Sequence, residues 1–180
     1  VLSSESQVNF SQLRSGHLSQ KQWGKVIQTV REVSVAPLFI DDSASPTLLA
    51  ALSRHGGAGA ATELTRILGQ LYETMARNRT GIKLVDRCAV EYPALAKLWF
   101  TQGREALLVL LTQYLERGIR AGRLRPVPDP MVAARLIIET LVFWAVHRHW
   151  DPSPQPFDPR VAQDTVVQML VAALGQEMHR

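Results

Sequence analysis

Three polar residues near one another in the sequence are of the types that bind metal ions. His147 and Asp151 are four residues apart, so they could share a helix face, and His149 lies between them. Imidazole and carboxylate groups at this spacing can ligate zinc. The segment ends at Pro152, however, and histidines near a helix C-terminus also interact favourably with the helix dipole. We therefore expect no metal site, and the sequence indicates no cofactor.

Candidate catalytic groups are equally isolated. Cys88 has no evident base partner, which favours a packed thiol over a nucleophile. No Ser, His and Asp arrangement is evident, and no Gly-x-x-x-x-Gly-Lys phosphate loop occurs. Asp41 and Asp42 could form a metal pair, but without a phosphate loop we interpret them as the solvated end of a strand. The sequence predicts that the protein is not an enzyme.

Composition and charge exclude further classes. The chain has 180 residues, of which 46% are hydrophobic and 20% charged, so intrinsic disorder and collagen-like repeats are excluded. A single cysteine excludes a disulfide framework and fits a reducing cytoplasm, and residues 1–11 do not resemble a signal peptide. The net charge of +4 permits nucleic-acid contact without requiring it. A basic cluster fits a solvated face better than a phosphate site: Arg77, Arg79, Lys83 and Arg87.

Serine usage divides the chain into two parts. Residues 1–46 contain nine serines, whereas residues 47–180 contain only Ser53 and Ser153. The first part has four basic and four acidic residues, so the second part holds the whole net charge. Gly56, Gly57 and Gly59 suit a flexible connection. We predict an N-terminal segment over 1–46, a linker over 47–61 and a second domain over 62–180.

The second part has the apolar periodicity of helices throughout. Leu64, Ile67, Leu68 and Leu71, for example, recur at three- and four-residue steps. Asp-Pro pairs at 129–130 and 158–159 are typical helix starts, because Asp accepts hydrogen bonds from free N–H groups and Pro fits the first turn. The predicted helices span residues 62–77, 81–90, 94–120, 131–149 and 160–178.

The last two predicted helices are apolar on broad faces and need more cover than one small bundle offers. Arg135, Glu139 and Asp164 interrupt them, which argues against a membrane span. We expect a homodimer that joins this helix pair to its symmetry mate, with an internal hairpin of a monomer as the alternative. The predicted interface residues are Leu136, Leu141, Val142, Val166, Val167, Leu170 and Leu174.

Several segments of the second part together resemble the C-terminal domain of TetR-family transcriptional regulators. They are Glu91-Tyr92-Pro93-Ala94-Leu95-Ala96, Gly103-Arg104-Glu105-Ala106-Leu107, Gly118-Ile119-Arg120-Ala121-Gly122-Arg123-Leu124-Arg125, Asp129-Pro130 and Ala133-Ala134-Arg135. The resemblance implies an all-α, antiparallel helical bundle that dimerises through its last two helices. It also implies a pocket for a small organic effector among the preceding helices.

Aromatic residues with a few polar groups on semi-polar helix faces would suit such an effector. Plain core packing is the alternative for each of them. The predicted pocket residues are Tyr72, Met75, Trp99, Tyr114, Phe143, Trp144 and His147.

The first part reads as a helix over residues 19–34 and a short extended arm over 37–40. The segments Leu13-Arg14-Ser15-Gly16-His17-Leu18 and Ala36-Pro37-Leu38-Phe39-Ile40-Asp41-Asp42 resemble the ATPase domain of DnaB-type replicative helicases. Nothing in 1–46 resembles a helix-turn-helix, so operator DNA is an expected partner only through a separate or missing reading module. We expect a cytoplasmic effector-sensing, dimerising regulator domain. A helicase-related fragment without its catalytic motifs and a purely structural dimerisation module remain alternatives.

Overall fold

The protein is described by a computed structural model over residues 46–53, 59–91, 93–153 and 155–175. The predicted N-terminal helix and extended arm lie outside the described residues. The regular elements of the described part are helical, which confirms the all-α prediction. They are α1 (Pro46–Ser53), α2 (Ala60–Arg77), α3 (Arg79–Ala89), α4 (Pro93–Ala96), a π-helical segment (Lys97–Arg104), α5 (Glu105–Arg120), α6 (Pro130–Ala145), a 3-10 turn (His147–Trp150) and α7 (Pro159–Leu174).

Helix α2 lies at the centre of the bundle. It packs against both α6 and α7, while α5 packs against α6 and α1. Leu64, Ile67 and Leu68 are completely buried, and they follow the apolar spacing that the sequence shows. Among the described residues, no helix is both long and apolar enough to span a membrane.

The starts of α6 and α7 confirm the two Asp-Pro predictions. Asp129 Oδ1 accepts hydrogen bonds from the backbone N–H groups of Met131 (2.8 Å) and Val132 (3.1 Å). Asp158 makes the same pair of bonds at the start of α7, again at 2.8 and 3.1 Å. These backbone hydrogen bonds lower the pKa of Asp158, because they stabilise its ionised carboxylate.

Residues 46–53 form a helix where the sequence predicts part of a flexible linker. Leu48 and Ala51 of α1 are buried against the bundle, and the Thr47 backbone N–H donates to Gln70 Oε1 (3.2 Å). An apolar face that packs on α2 and α5 therefore orders a segment whose Ser- and Gly-rich flanks indicate flexibility.

Two predicted helices also differ from the structure in detail. The predicted helix over 131–149 ends at Ala145, because Val146 leaves the helical backbone conformation (φ −120°) and a 3-10 turn follows. The predicted helix over 94–120 is helical throughout, but its hydrogen bonding changes to the π-helical type between Lys97 and Arg104.

The connection between α5 and α6 is anchored by close packing. Gly122 has a positive φ (66°), which suits the glycine found there after the helix end. Leu124 is 1% exposed, and its side chain lies directly against the backbone of Gly118. The Arg125 backbone N–H then donates to the Leu174 carbonyl (2.8 Å), which ties this connection to the end of α7.

Replacing Gly118 with alanine should destabilise the fold. The added Cβ would lie 2.5 Å from Leu124 Cδ1 and 2.7 Å from its Cγ, and Leu124 belongs to the buried core, so moving it would disturb its core neighbours. Overpacking of this kind costs about 1–3 kcal/mol. Urea unfolding should report the loss. Gly69→Ala is the matched control, because its Cβ would meet nothing within 4 Å and alanine favours helix. Equal stability of Gly118→Ala and the unmodified chain would contradict this packing.

Candidate functional site

The Asp86 carboxylate of α3 joins three elements at one end of the bundle. Its Oδ1 accepts a hydrogen bond from the indole Nε1 of Trp99 in the π-helical segment (2.7 Å). Its Oδ2 lies 3.6 Å from Nε2 of His147 in the 3-10 turn. These residues, with Arg104 and Glu139, form what we call the Asp86 cluster.

The π-helical segment explains how Trp99 and Arg104 both reach this cluster. Residues five apart in an α-helix point about 140° away from each other, given 3.6 residues per turn. A π-helix bonds each residue to one five positions away, so its wider turn brings such residues towards the same side. The segment thus places an indole and a guanidinium beside α3 and α6.

Arg104 connects the π-helical segment to α6. Its guanidinium forms a hydrogen-bonded ion pair with Glu139 Oε1. The same Glu139 oxygen lies 2.6 Å from Arg135 Nε, one helical turn earlier on α6. The Arg104 side chain is largely covered, whereas the side chains of Arg135 and Glu139 are about half exposed. The cluster therefore extends from the interior to the surface of α6.

The imidazole of His147 lies in a mixed electrostatic environment. Burial lowers its pKa from the ordinary value of 6.5, and this effect exceeds the opposing attraction of Asp86. Lys83 and Arg104 lower the pKa further, whereas Glu139 raises it. The ring is therefore neutral at pH 7. Its Nδ1 is buried and has no hydrogen-bond partner within the described part of the chain. An unsatisfied buried polar atom costs about 1–3 kcal/mol.

The 3-10 turn that carries His147 is held by polar contacts. The Trp144 carbonyl, at the end of α6, accepts hydrogen bonds from Tyr72 Oη (3.2 Å) and Arg148 Nε (2.8 Å). His149 Nε2 lies 3.3 Å from a guanidinium nitrogen of Arg79. The part-buried Tyr72 contact therefore ties the end of α6, from which the turn continues, to α2, whereas the His149 contact lies at the exposed surface.

The predicted pocket residues occupy three different environments. Trp99 and His147 meet at Asp86, and Tyr72 contacts the nearby Trp144 carbonyl. Phe143 is 44% exposed and makes an edge contact with the Trp144 ring (5.9 Å between centroids). The other two, Met75 and Tyr114, are buried in the core.

Tyr114 belongs to a second polar group, which includes Glu63 of α2. Burial raises its pKa strongly, and the adjacent Glu63 carboxylate adds to the effect. Glu63 is itself buried, and its Oε1 lies 3.9 Å from Arg123 Nη1. This group links α2, α5 and the following connection without reaching His147.

The seven predicted interface residues differ in how far they are buried within the single chain. Leu136 is 62% exposed, and Val142 and Leu170 are half-buried. The other four are buried within the single chain, in the packing of α6 and α7, and their place at an interface stays a prediction. They are Leu141, Val166, Val167 and Leu174.

The three residues first considered as metal ligands do not converge. His147 faces Asp86, His149 faces Arg79, and Asp151 Oδ1 accepts the backbone N–H of Ser153 (2.8 Å). Within the described residues, no group of three or more metal-binding side chains lies together.

Cys88, two residues after Asp86 on α3, is buried, and burial raises the pKa of its thiol to about 11.

Sequence reasoning missed Asp86, Arg104 and Glu139 as members of the cluster. Arg104 and Glu139 appear in the sequence only as part of family-like segments or as charges that interrupt an apolar helix. The sequence feature that could have identified them is a charged residue within an otherwise apolar helix face, because a charge near the core needs a partner of opposite charge or a hydrogen bond.

Comparison with known proteins identifies two kinds of similarity. The family described as the C-terminal domain of AefR-like transcriptional repressors matches residues 62–176. That range begins within the first turn of α2 and continues past the end of α7, so it includes the Asp86 cluster. No solved structure matches the chain.

The second similarity is to parts of replicative helicases. The replicative DNA helicase DnaB of Mycobacterium intracellulare is 37% identical over 49 residues, 27% of this chain and 8% of the helicase. DnaB of Mycobacterium leprae is 35% identical over 49 residues, with the same shares. A probable replicative DNA helicase of Trieres chinensis is 37% identical over 54 residues, 30% of this chain and 12% of the helicase. The matches therefore span about a tenth of the length of these relatives.

His147 should make the stability of the fold sensitive to acid. Its pKa in the folded protein lies below the ordinary value of 6.5, so the unfolded chain binds the proton more tightly. The contribution of the neutral His147 ring to the free energy of unfolding is therefore fully present above pH 6.5, and it is lost as the pH falls through the pKa of the folded state. Unfolding by urea at about pH 7.5 and about pH 5 should show a smaller loss of stability for His147→Gln than for the unmodified chain.

His149→Gln is the comparison variant for this measurement. Its imidazole is more exposed than that of His147, so its pKa shift should contribute less to the acid sensitivity. Equal acid sensitivity of His147→Gln and the unmodified chain would contradict the account of a buried, neutral His147.

Proposed function

Because the chain belongs to the TetR family of transcriptional regulators and carries that family's C-terminal domain over residues 62–176, we propose that it senses a small organic effector and forms a homodimer. Its role is regulatory and not catalytic, and we place it in the cytoplasm. The observation that carries the proposal is that α6 contributes both to the Asp86 cluster and to an exposed apolar surface.

The sensing part of the proposal rests on the Asp86 cluster. Small-molecule sites combine apolar walls with a few convergent polar groups. Trp99 is 6% exposed and supplies an aromatic side chain. Arg104 of the same π-helical segment and His147 of the 3-10 turn supply polar atoms. Side chains of three elements meet here at Asp86, so a molecule bound at this point would contact groups from more than one of them.

The dimerisation part rests on the outer faces of α6 and α7. Val132, Leu136 and Phe143 follow one another at four- and seven-residue steps, which places them on one face of α6. Val161 and Met169 lie eight residues apart on α7, again on one face. Their exposures range from 44% for Phe143 to 69% for Met169. We call these five residues the α6–α7 apolar surface.

This surface fits a second copy of the same surface. Helices α6 and α7 pack against each other and both rest on α2, so their outer faces are neighbours. An isologous contact about a two-fold axis would cover all five residues on each subunit. Exposed apolar residues that form a contiguous patch commonly mark such interfaces.

Glu139 supplies the link between sensing and dimerisation. It lies three residues after Leu136 and four before Phe143, so it shares their face of α6. Its carboxylate pairs with Arg104 of the π-helical segment. An effector that contacts Arg104 or His147 would therefore shift α6 and, with it, the interface. Operator DNA would be reached through a separate helix-turn-helix module.

Placing a charge in the α6–α7 apolar surface should separate the dimer. Leu136→Asp would bury a carboxylate against apolar side chains of the partner, and hot-spot losses of this kind are about 2 kcal/mol or more. We expect sedimentation equilibrium to show a dimer dissociation constant raised by about tenfold or more.

Val90→Asp is the matched control for Leu136→Asp. Val90 is 86% exposed at the end of α3, away from α6 and α7, so its replacement should leave the association unchanged. A monomeric unmodified chain at micromolar concentration would overturn the dimer proposal. So would an equal effect of the two substitutions.

A further inference from the structure

Asp86 fixes the orientation of the His147 ring. The Trp99 indole N–H holds Oδ1 of the carboxylate at 2.7 Å, so Oδ2 is presented to His147 Nε2 at 3.6 Å. Turning the ring over would replace Nε2 by a carbon at this carboxylate and lose the attraction. The ring therefore keeps Nε2 towards Asp86 and Nδ1 towards the interior.

The same contact decides which ring nitrogen carries the proton. A neutral imidazole has one N–H group and one lone-pair nitrogen. A nearby carboxylate favours the N–H on the nitrogen that faces it, so Nε2 is protonated. Nδ1 is consequently a hydrogen-bond acceptor, and it is buried without a donor in the part of the chain that the structure describes.

The charges around His147 are balanced. The negative charges of Asp86 and Glu139 are opposed by the positive charges of Lys83 and Arg104. Attraction and repulsion therefore offset each other for a charged ligand of either sign, so no net attraction compensates for the loss of its hydration. An uncharged ligand avoids this cost. It also suits the apolar character of the neighbouring sequence, since Val85 directly before Asp86 and Ala145 two residues before His147 are both buried.

We propose that Nδ1 of His147 accepts a hydrogen bond from the hydroxyl group of an uncharged effector with an apolar body, either a phenol or an alcohol. This inference rests on the proposed function and names the chemical class of the effector. The hydroxyl donor supplies the partner that Nδ1 lacks, so the ligand favours the arrangement of α3, the π-helical segment and α6 that surrounds this nitrogen.

The test compares hydroxyl compounds with their methyl ethers, because methylation removes the donor and keeps the apolar body. Isothermal titration calorimetry on the full chain would use 4-propylphenol and 4-propylanisole. A second pair, 4-propylbenzyl alcohol and its methyl ether, separates phenols from alcohols. We expect at least one hydroxyl compound to bind about tenfold or more tightly than its ether. Equal binding within both pairs, or no binding of either hydroxyl compound, would overturn the proposal.

His147→Phe keeps the ring and removes both nitrogens, so it should reduce the preference for the hydroxyl compound to less than about threefold. His149→Phe, two residues further on in the same turn, should keep the preference. A preference that survives in His147→Phe would overturn the assignment of Nδ1 as the acceptor.

Nitrogen-15 NMR of the unmodified protein tests the same atom without any substitution. The His147 signals should show a protonated Nε2 and a lone-pair Nδ1, and the Nδ1 signal should move when the preferred hydroxyl compound binds. A protonated Nδ1 in the free protein would overturn the proposal even if His147→Phe failed to fold.

Two charged probes distinguish this inference from the proposed function. Binding of 4-propylbenzoate or 4-propylbenzylamine without binding of either hydroxyl compound would overturn the hydroxyl assignment and leave effector sensing intact. Failure of all these compounds, together with a monomeric chain, would count against the proposed function itself.

Discussion

The Asp86 carboxylate is the contact on which the arrangement of this end of the bundle depends. It receives the Trp99 indole N–H and faces the His147 imidazole, so one side chain of α3 positions the π-helical segment and the turn after α6. A half-buried carboxylate with two such partners is stabilised where it lies, whereas loss of either partner would leave polar groups under-satisfied. The geometry of the candidate effector site therefore follows from this residue.

The π-helical segment and α6 connect the Asp86 contact to the outer surface of the bundle. Arg104 leaves the π-helical segment to pair with Glu139, which stands among the exposed apolar residues of α6. The cluster and the α6–α7 apolar surface thus both include residues of α6. Under the proposed function, an effector acts by favouring one of two positions of α6, and its differential affinity for those positions limits how far the dimer can respond.

Much of the fold follows from local sequence patterns. The spacing of Leu64, Ile67 and Leu68 predicts the buried face of α2, and Asp129 and Asp158 predict the starts of α6 and α7. These features depend on residues within one or two helical turns, so the sequence carries them directly. The same holds for the family resemblance, which the match over residues 62–176 confirms.

What the sequence could not predict depends on tertiary contacts. Helix α1 forms because Leu48 packs on α2 and α5, and residues 97–104 adopt π-helical bonding within a run whose apolar pattern suits an α-helix. Periodicity likewise assigns Leu141, Val166, Val167 and Leu174 to an apolar face without saying whether its own chain or a partner covers it. The role of Asp86 depends on its contacts with Trp99 and His147, which lie 13 and 61 residues further along the chain.

The most direct test of the link between the cluster and the interface is the dimer dissociation constant, measured by sedimentation equilibrium with and without a saturating hydroxyl compound. Because coupling between two binding equilibria is reciprocal, an effector that shifts α6 must change this constant. The account predicts a change of about threefold or more in the unmodified chain, and a smaller one in Glu139→Gln. A dissociation constant that is unchanged while the compound is bound would contradict it.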